Sequence, residues 1–185
     1  MLGYTEWKFL TRSVVDLDAL PTLGWYRTVI GMQYERTYHS PIGPLYLRCS
    51  DTHIVELSFH GEASEVEAHH HLLDLAHLQL DEYFAGSRKA FTLPLLIGGT
   101  PFQKKVYEAL LSIEYGQTAS YEEIAMRIGN PKACRAVGMA NNRNRLALLI
   151  PCHRVVGKHG SLVGYEGGLE KKAWLLDFER RHRSS

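Results

Sequence analysis

The chain contains little cysteine, and its few cysteines are widely separated. Among 185 residues the only thiols are Cys49, Cys134 and Cys152. An odd and sparse set argues against a disulfide-stabilised secreted domain and leaves a free thiol available. The three successive histidines at 69–71 lack the spacing of metal ligands and are typical of a solvated helix face. We therefore expect no disulfide, no bound metal and no cofactor.

Long hydrophobic runs are missing as well. No stretch approaches the roughly 20 apolar residues that cross a bilayer. Residues 1–31 carry scattered acidic side chains instead of the continuous apolar segment of a secretion signal. The sequence thus predicts a cytoplasmic protein with no membrane partner. With 45% hydrophobic residues, a chain of this length can bury a core as one domain or as two small ones.

Net charge is low too, but it is unevenly distributed. The formal net charge is only +1. Residues 1–98 hold 7 Lys and Arg against 12 Asp and Glu, whereas residues 99–185 hold 14 against 8. The second half is therefore the part that we expect to contact a polyanion such as nucleic acid, although chance or domain pairing also produces such a division.

The first half has the pattern of a small α+β domain. Apolar and polar residues alternate from residue 34 to residue 59 around a turn at 50–51, which predicts a hairpin. Helical spacing over residues 64–84 predicts a helix laid on that sheet, and residues 91–97 predict one more short strand. The predicted inward side chains of the hairpin are Leu45, Leu47 and Cys49, followed by Val55, Leu57 and Phe59.

A Gly-Gly linker at residues 98–99 separates this pattern from a mostly helical second half. The predicted division is an N-terminal extension of uncertain order at 1–31, a small α+β domain at 32–98 and a helical domain at 99–185. The first predicted helix of the second half has one apolar stripe, formed by Phe102, Val106, Leu110 and Ile113.

Two short helices with a tight turn follow. Ser120 and Glu123 form a capping box that opens a helix ending at Gly129. Asn130 is predicted to cap the next helix, with Pro131 at its first position. A Gly-Asn-Pro turn between two short helices is typical of a helix-turn-helix, the motif that presents a recognition helix to DNA.

The predicted recognition helix, residues 131–141, has two different faces. One face carries only small or apolar residues, namely Ala133, Ala136, Val137 and Ala140. The opposite face carries Lys132, Arg135, Met139 and Asn142. An ordinary solvated face would rarely include a methionine, and Arg135 lies where a recognition helix contacts DNA.

The segment IPCHRVVG at residues 150–157 raises the question of chemistry. The apolar run at 146–150 predicts a buried strand that stops at Pro151, because proline cannot donate to a ladder. Cys152 would then lie just after the end of the buried strand, at the position where a functional site would begin. A free cysteine is more often a small buried hydrophobe. His153 would point to the opposite face of an extended segment, so a direct Cys-His pair needs a turn or a bridging water.

Seven segments together resemble one family. In chain order they read SPIGPLYL, LDEYFAG, TPFQKKVYEAL, SYEEIA, NPKACRAVGMANNRN, LIPCHRVVG and GYEGGLEKKAWLL. This set resembles the O6-alkylguanine-DNA alkyltransferases of the bacterial type, from about Met32 to Arg180. Residues 1–31 match nothing in that family.

The resemblance implies a fold and an activity. The fold would be a small antiparallel sheet with a helix, ribonuclease H-like, followed by a winged helix-turn-helix domain that carries the active cysteine. The activity would be DNA repair by direct reversal in duplex DNA, without a cofactor. An alkyl group, chiefly methyl, would pass irreversibly and stoichiometrically from O6 of guanine, or O4 of thymine, to Cys152. A monomer would suffice.

The resemblance also assigns the catalytic residues. Cys152 would be the acceptor, since attack on a saturated carbon suits a soft thiolate. His153 would take its proton through a water, and Glu179 would orient the imidazole. Tyr121 would press on the adjacent phosphate and help to neutralise the leaving guanine, and Arg135 would fill the gap left by the flipped base.

Further residues are expected around the pocket. Asn144 would brace the turn before Cys152, Tyr165 would form an aromatic wall, and Lys172 would lie near the pocket. Main-chain groups around Cys152 and Val155 would read the guanine edge. The chain departs from the family at two places: Arg145 replaces a common proline, and Glu166 replaces a small residue.

Two other function classes remain open on sequence grounds. A thiol hydrolase would also use cysteine and histidine, but its histidine is distant in sequence and it needs no helix-turn-helix. A non-catalytic module that binds DNA lesions would keep Arg135 and Tyr121 and lose the thiol, whereas this chain retains Cys152.

Overall fold

The structure is a computed structural model that describes residues 33–62 and 68–183. Within those ranges the chain forms a three-stranded sheet with one helix, followed by a mostly helical half. The predicted extension at residues 1–31 lies outside the described residues. None of the helices within residues 33–62 and 68–183 has the length and apolar character of a membrane span.

The sheet confirms the predicted hairpin and adds a strand to it. Strands β1 (Tyr34–Ser40), β2 (Gly43–Cys49) and β3 (Ile54–Ser58) are antiparallel, in the spatial order β1-β2-β3. Leu45, Leu47, Cys49, Leu57 and Phe59 are buried as predicted.

One inward position was wrong. Ile54 is fully buried, whereas Val55 is only half-buried. The pairing of β2 with β3 shifts between Arg48 and Cys49, and such an irregularity breaks the strict alternation.

A single helix covers the sheet. Helix α1 (His71–Phe84) buries an apolar stripe formed by Leu72, Leu73, Ala76, Leu80 and Tyr83. The predicted start at residue 64 is wrong for residues 68–70, because His70 caps the helix with a ring nitrogen that accepts from the Leu72 amide. Residues 63–67 lie outside the described ranges.

The short strand predicted at residues 91–97 is absent from the described structure. Only Leu95 makes a bridge, parallel to Ile54. The Ile54 amide donates to Pro94 O at 2.8 Å and the Leu96 amide donates to Ile54 O at 2.9 Å. Pro94 has no amide hydrogen, so the pairing cannot extend into a ladder.

The second half contains four α-helices within the described residues. They are α2 (Pro101–Leu111), α3 (Tyr121–Arg127), α4 (Cys134–Asn142) and α5 (Leu169–Arg181). The predicted capping box at the start of α3 is confirmed, since Ser120 Oγ accepts from the Glu123 amide and Glu123 Oε2 accepts from the Ser120 amide. Gly129 adopts φ +74° just after this helix, a conformation that favours glycine.

The start of α4 differs from the prediction. Asn130 does not cap the helix and Pro131 is not its first residue, because the helix begins at Cys134 after Ala133. The Ala133 amide donates instead to Asn130 O at 2.9 Å, which closes a separate turn. The predicted faces are confirmed within the helix: Val137 and Ala140 are buried, whereas Arg135 and Met139 are exposed.

The apolar run at residues 146–150 is buried, but it is a looped segment and not the expected strand. Leu148 has φ +64°, and the Ile150 amide donates back to Leu146 O at 2.8 Å. Leu146 makes one isolated bridge with Leu57 of β3. The segment therefore turns beside the edge strand β3 and is followed by a 3-10 turn at Cys152–Arg154.

Candidate active site

Cys152 lies at the start of that 3-10 turn with only 3% of its surface exposed. Its backbone amide donates to Ile150 O at 2.7 Å, and Asn141 Nδ2 donates to its carbonyl at 3.4 Å. Burial raises the pKa of the thiol to about 11; Asn144 and Lys172 oppose this increase. The resting group is a thiol, so its reaction as a nucleophile requires a base.

His153 has the geometry of that base. The ring is completely buried, and Nε2 donates to Glu179 Oε1 at 2.9 Å. A carboxylate only accepts, so the hydrogen of the neutral ring is on Nε2 and Nδ1 carries a lone pair. Nδ1 is buried and has no hydrogen-bond partner among the described residues. Burial lowers the pKa of His153 and Glu179 partly opposes this, so the resting ring is neutral and can accept a proton.

Glu179 on α5 is fully buried and is held by donors from four other residues. Besides His153, Tyr83 Oη donates to Oε1 at 2.8 Å and the Gly116 amide donates to Oε2 at 3.0 Å. Arg154 donates through Nε and Nη2, both at 2.9 Å. Burial alone would raise the pKa of Glu179, but His153 and Arg154 hold it well below its usual range. The carboxylate stays ionised and fixes the imidazole.

Arg154 and Tyr83 were not predicted as site residues. Arg154 stood in the quoted IPCHRVVG motif, and an arginine inside a buried segment needs a carboxylate partner, which was a usable signal. Its Nη1 also donates to Ile113 O at 2.7 Å. Tyr83 was expected only as an apolar residue of α1. Its contact with Glu179 spans 96 positions and leaves no local pattern in the sequence.

Tyr121 and Lys172 meet at one carbonyl. Tyr121 Oη donates to Val163 O at 3.2 Å and Lys172 Nζ donates to the same atom at 2.8 Å. Burial lowers the pKa of Lys172 to about 8, which Cys152 opposes, and burial raises the pKa of Tyr121. The two side chains fix the loop that precedes Tyr165 and leave a cation close to the thiol.

Asn144 is placed as predicted for a brace. Its Oδ1 accepts from the Leu146 amide at 3.0 Å, and its Nδ2 donates to Ile150 O at 2.9 Å. These bonds close the looped segment from the inside. Val155 is fully buried in strand β5 (Val155–Val156), which pairs in parallel with β4 (Ala119–Ser120). This short pairing places the residues after Cys152 beside the start of α3.

Tyr165 lies against His153. Its ring makes an edge contact with His153 at a centroid distance of 6.5 Å and with Phe59 at 5.6 Å. Its hydroxyl is buried and has no hydrogen-bond partner in the described ranges. A buried, unpaired hydroxyl beside the base is available to a bound ligand.

Arg135 lies outside this buried cluster. It is exposed on α4 and has no hydrogen-bond or ion-pair partner among the described residues. The same helix packs closely on Tyr121, since a Cβ added at Gly138 would lie 3.7 Å from the Tyr121 ring. Arg135 is thus free to contact a partner molecule while its helix is anchored to the site.

No group of three or more His, Cys, Asp or Glu residues that could hold a metal ion occurs in the described part of the chain. The polar groups next to Cys152 instead form hydrogen bonds that join the imidazole of His153 to the carboxylate of Glu179.

Comparison with known proteins identifies the family. Residues 33–97 match the ribonuclease-like domain of 6-O-methylguanine DNA methyltransferase, and residues 101–181 match its DNA-binding domain. The chain belongs to this family. The resemblance and the fold class expected from the sequence are thereby confirmed.

Named relatives are matched over nearly their whole length. The methylated-DNA--protein-cysteine methyltransferase of Methanosarcina acetivorans is 44% identical over 79% of this chain and 97% of that protein. The constitutive enzyme of Bacillus subtilis is 45% identical over 80% and 96%. The O6-methylguanine methyltransferase of Mycobacterium tuberculosis superposes with a TM-score of 0.74 at 42% identity, covering 82% of this chain and 94% of that one. The same enzyme is also known in complex with DNA.

Proposed function

We propose that this member of the 6-O-methylguanine DNA methyltransferase family repairs DNA by moving an alkyl group from O6 of guanine to Sγ of Cys152. The observation that carries the assignment is the relay geometry: a buried thiol follows a looped segment, and the adjacent histidine is held by a fully paired carboxylate. A structural cysteine needs neither a buried neutral base nor a fixed tautomer.

The reaction follows from these groups. His153 Nδ1 takes the proton of Cys152, with a water in between, and Glu179 stabilises the imidazolium that forms. The thiolate attacks the saturated carbon on O6, a C–S bond forms and the C–O bond breaks. The bonding electron pair leaves with the guanine. Tyr121 keeps its proton in the resting site, because its pKa is raised, and can donate to the leaving base.

Single turnover is part of the proposal. A thioether on Cys152 has no leaving group and no proton to return to the relay, so the chain cannot regenerate its thiol by the same chemistry. Each chain therefore repairs one lesion.

Contact with DNA is assigned to the second half. Arg135 projects from α4 without a partner of its own, and this half carries the excess of basic residues. Cys152 is too buried to reach a base stacked in a duplex, so the base must be flipped out and Arg135 must fill the space it leaves.

We also propose that the two domains divided at residues 98–99 contribute different residues to the reaction. Residues 99–185 supply the thiol, the base and the carboxylate, and residues 32–98 supply Tyr83 to hold the carboxylate. One copy of the chain then contains every residue that the reaction needs. We place the activity in the cytoplasm, because a reducing compartment keeps the three free cysteines reduced.

The test is loss of the methyl group from a duplex that contains O6-methylguanine, with protein in excess. The parent and Cys134→Ser, which alters a cysteine outside the relay, should both remove it. Cys152→Ser should bind the duplex and leave the lesion intact, because a hydroxyl is far less ionised than a thiol. Binding without loss of methyl in the parent would make the chain a lesion-binding module, and hydrolysis of an activated ester would favour a thiol hydrolase.

A further inference from the structure

The end of strand β3 contacts the loop that follows the pocket wall. Ser58, which is buried, donates from Oγ to Glu166 Oε1 at 2.9 Å. His60 Nε2 donates to the carbonyl oxygen of the same glutamate at 3.0 Å. The side chain and the backbone of Glu166 are thus both held by residues of the first half.

Packing around these bonds restricts the loop further. Phe59 lies between the two polar contacts and its ring meets Tyr165. A Cβ added at Gly167 would lie 2.8 Å from the Phe59 ring, so no side chain fits at that position. Lys171 Nζ covers the same ring at 5.2 Å from its centroid. Glu166 therefore has a defined position.

Glu166 directly follows Tyr165, whose ring makes an edge contact with His153, the neighbour of the acceptor cysteine. Glu166 lines an open groove of about 1050 Å³ together with Asn144 and Ile150, the two residues that position Cys152. No Lys, Arg or His side chain forms an ion pair with Glu166 in the described ranges. The negative charge of Glu166 adds to the effect of burial in raising the pKa of Cys152.

We propose that Glu166, positioned by Ser58, selects O6 substituents by charge: it disfavours those that end in a carboxylate and favours neutral ones that can donate a hydrogen bond. The inference rests on the proposed function of Cys152. Glu166 forms and breaks no bond in the transfer. A carboxylate without an ion-pair partner repels a second negative charge in a site of reduced dielectric, and its oxygens can accept a further hydrogen bond from a hydroxyl.

The test compares two substrates on each variant. Duplexes that carry O6-carboxymethylguanine or O6-(2-hydroxyethyl)guanine are mixed with protein, and the rate of mass gain at Cys152 is measured for each. The ratio of the two rates isolates substituent charge, because a change in thiol pKa alters both rates alike. Glu166→Gln should raise the carboxymethyl rate relative to the hydroxyethyl rate by about tenfold.

Matched variants separate charge from loop position. Ser58→Ala removes the hydroxyl that holds Glu166 but keeps the charge, so the ratio should change less than in Glu166→Gln. Glu166→Asp keeps the charge and should preserve the discrimination. If Glu166→Gln does not fold, Glu166→Ser removes the same charge in a smaller side chain and takes its place.

Methyl transfer from O6-methylguanine separates a failure of the role proposed for Glu166 from a failure of the function proposed for Cys152. The ratio of the carboxymethyl rate to the hydroxyethyl rate could be the same in the parent and in the variant that lacks the Glu166 charge. If methyl transfer to Cys152 still proceeds, that result would overturn the role of Glu166 alone. Absence of methyl transfer in the parent protein would overturn the proposed function itself.

Discussion

The protonation states of two neighbouring side chains decide reactivity at the residue scale. The pKa of Cys152 is raised to about 11 and the pKa of His153 is lowered, so the resting pair is a thiol beside a neutral imidazole. In the proposed mechanism the thiolate forms when the proton moves to the ring. Glu179 favours that transfer because its charge stabilises the imidazolium, whereas Arg154 partly neutralises the same charge.

The first prediction concerns Glu179→Gln, measured as the pH profile of benzyl transfer from free O6-benzylguanine. Loss of the carboxylate lowers the pKa of His153 further, so the ring becomes a weaker base. We expect the rate near neutral pH to fall about tenfold or more. The parent should show a plateau through neutral pH, whereas the variant should rise steadily towards the thiol pKa of about 11.

Glu170→Gln is the control for this experiment, since Glu170 is an exposed glutamate at the start of the same helix. Its profile should match that of the parent. If the Glu179→Gln profile also superimposes on that of the parent, Glu179 takes no part in the proton transfer and the relay stops at His153.

The second prediction concerns Tyr83→Phe. The ring packing is retained and only the hydroxyl that donates to Glu179 is lost. A buried, charge-assisted hydrogen bond of this kind is worth about 1.5–3 kcal/mol, so the free energy of unfolding should fall by that order. Urea denaturation measures it. Tyr46 is a half-exposed residue of β2, and Tyr46→Phe is the control. Equal stability of the two variants would contradict the role assigned to the Tyr83 hydroxyl.

At the scale of secondary structure, local chemistry was predictable and buried connections were not. The capping box at Ser120 and the hairpin follow from interactions between near neighbours, and both were confirmed. The run at 146–150 was misread because a short buried apolar segment has the same composition whether it is a strand or a loop. The positive φ of Leu148 carries no sequence signal.

At the site, too, residues in local motifs could be assigned from the sequence, whereas contacts between distant elements could not. Cys152, His153 and Glu179 were assigned through the family motifs, and in the structure a hydrogen bond joins His153 to Glu179. Tyr83 was not assigned to the site, because a side-chain contact between distant elements depends on packing and not on local pattern. Glu166 was noticed only as a departure, and its bond to Ser58 spans 108 positions.

The third prediction concerns helix α4 and its exposed Arg135. Arg135→Ala should slow repair of O6-methylguanine in a duplex much more than it weakens duplex binding, because phosphate contacts of the basic half remain while the gap-filling side chain is lost. The expected loss of repair rate is about tenfold or more. Transfer from free O6-benzylguanine needs no flipping and should keep the parent rate. An equal loss with the free base would place the defect in the pocket.

At the scale of the whole molecule, one carboxylate joins both halves of the described chain. Glu179 accepts from Tyr83 of α1, from the Gly116 amide and from Arg154. Its pKa is held well below the ordinary value of 4.5. The resulting stability is fully present above the unfolded pKa and is lost as pH falls through the folded pKa.

The fourth prediction follows from this linkage. The free energy of unfolding of the parent should fall as pH decreases below about 4.5, because the unfolded chain then binds a proton at Glu179 while the folded chain keeps this carboxylate ionised as the partner of the buried Arg154. Glu179→Gln should be less stable than the parent at neutral pH, and the difference should shrink in acid. Urea denaturation across this pH range measures it. A constant difference would mean that the carboxylate charge does not contribute.

The most direct test of the whole account is the stoichiometry of transfer with substrate in excess. The parent protein is incubated with excess duplex containing O6-methylguanine, and intact mass and peptide mapping locate the methyl group. We predict that uptake stops at one methyl group per chain and that it resides on Cys152. A methyl group on Cys49 or Cys134, or more than one lesion repaired per chain, would contradict the account.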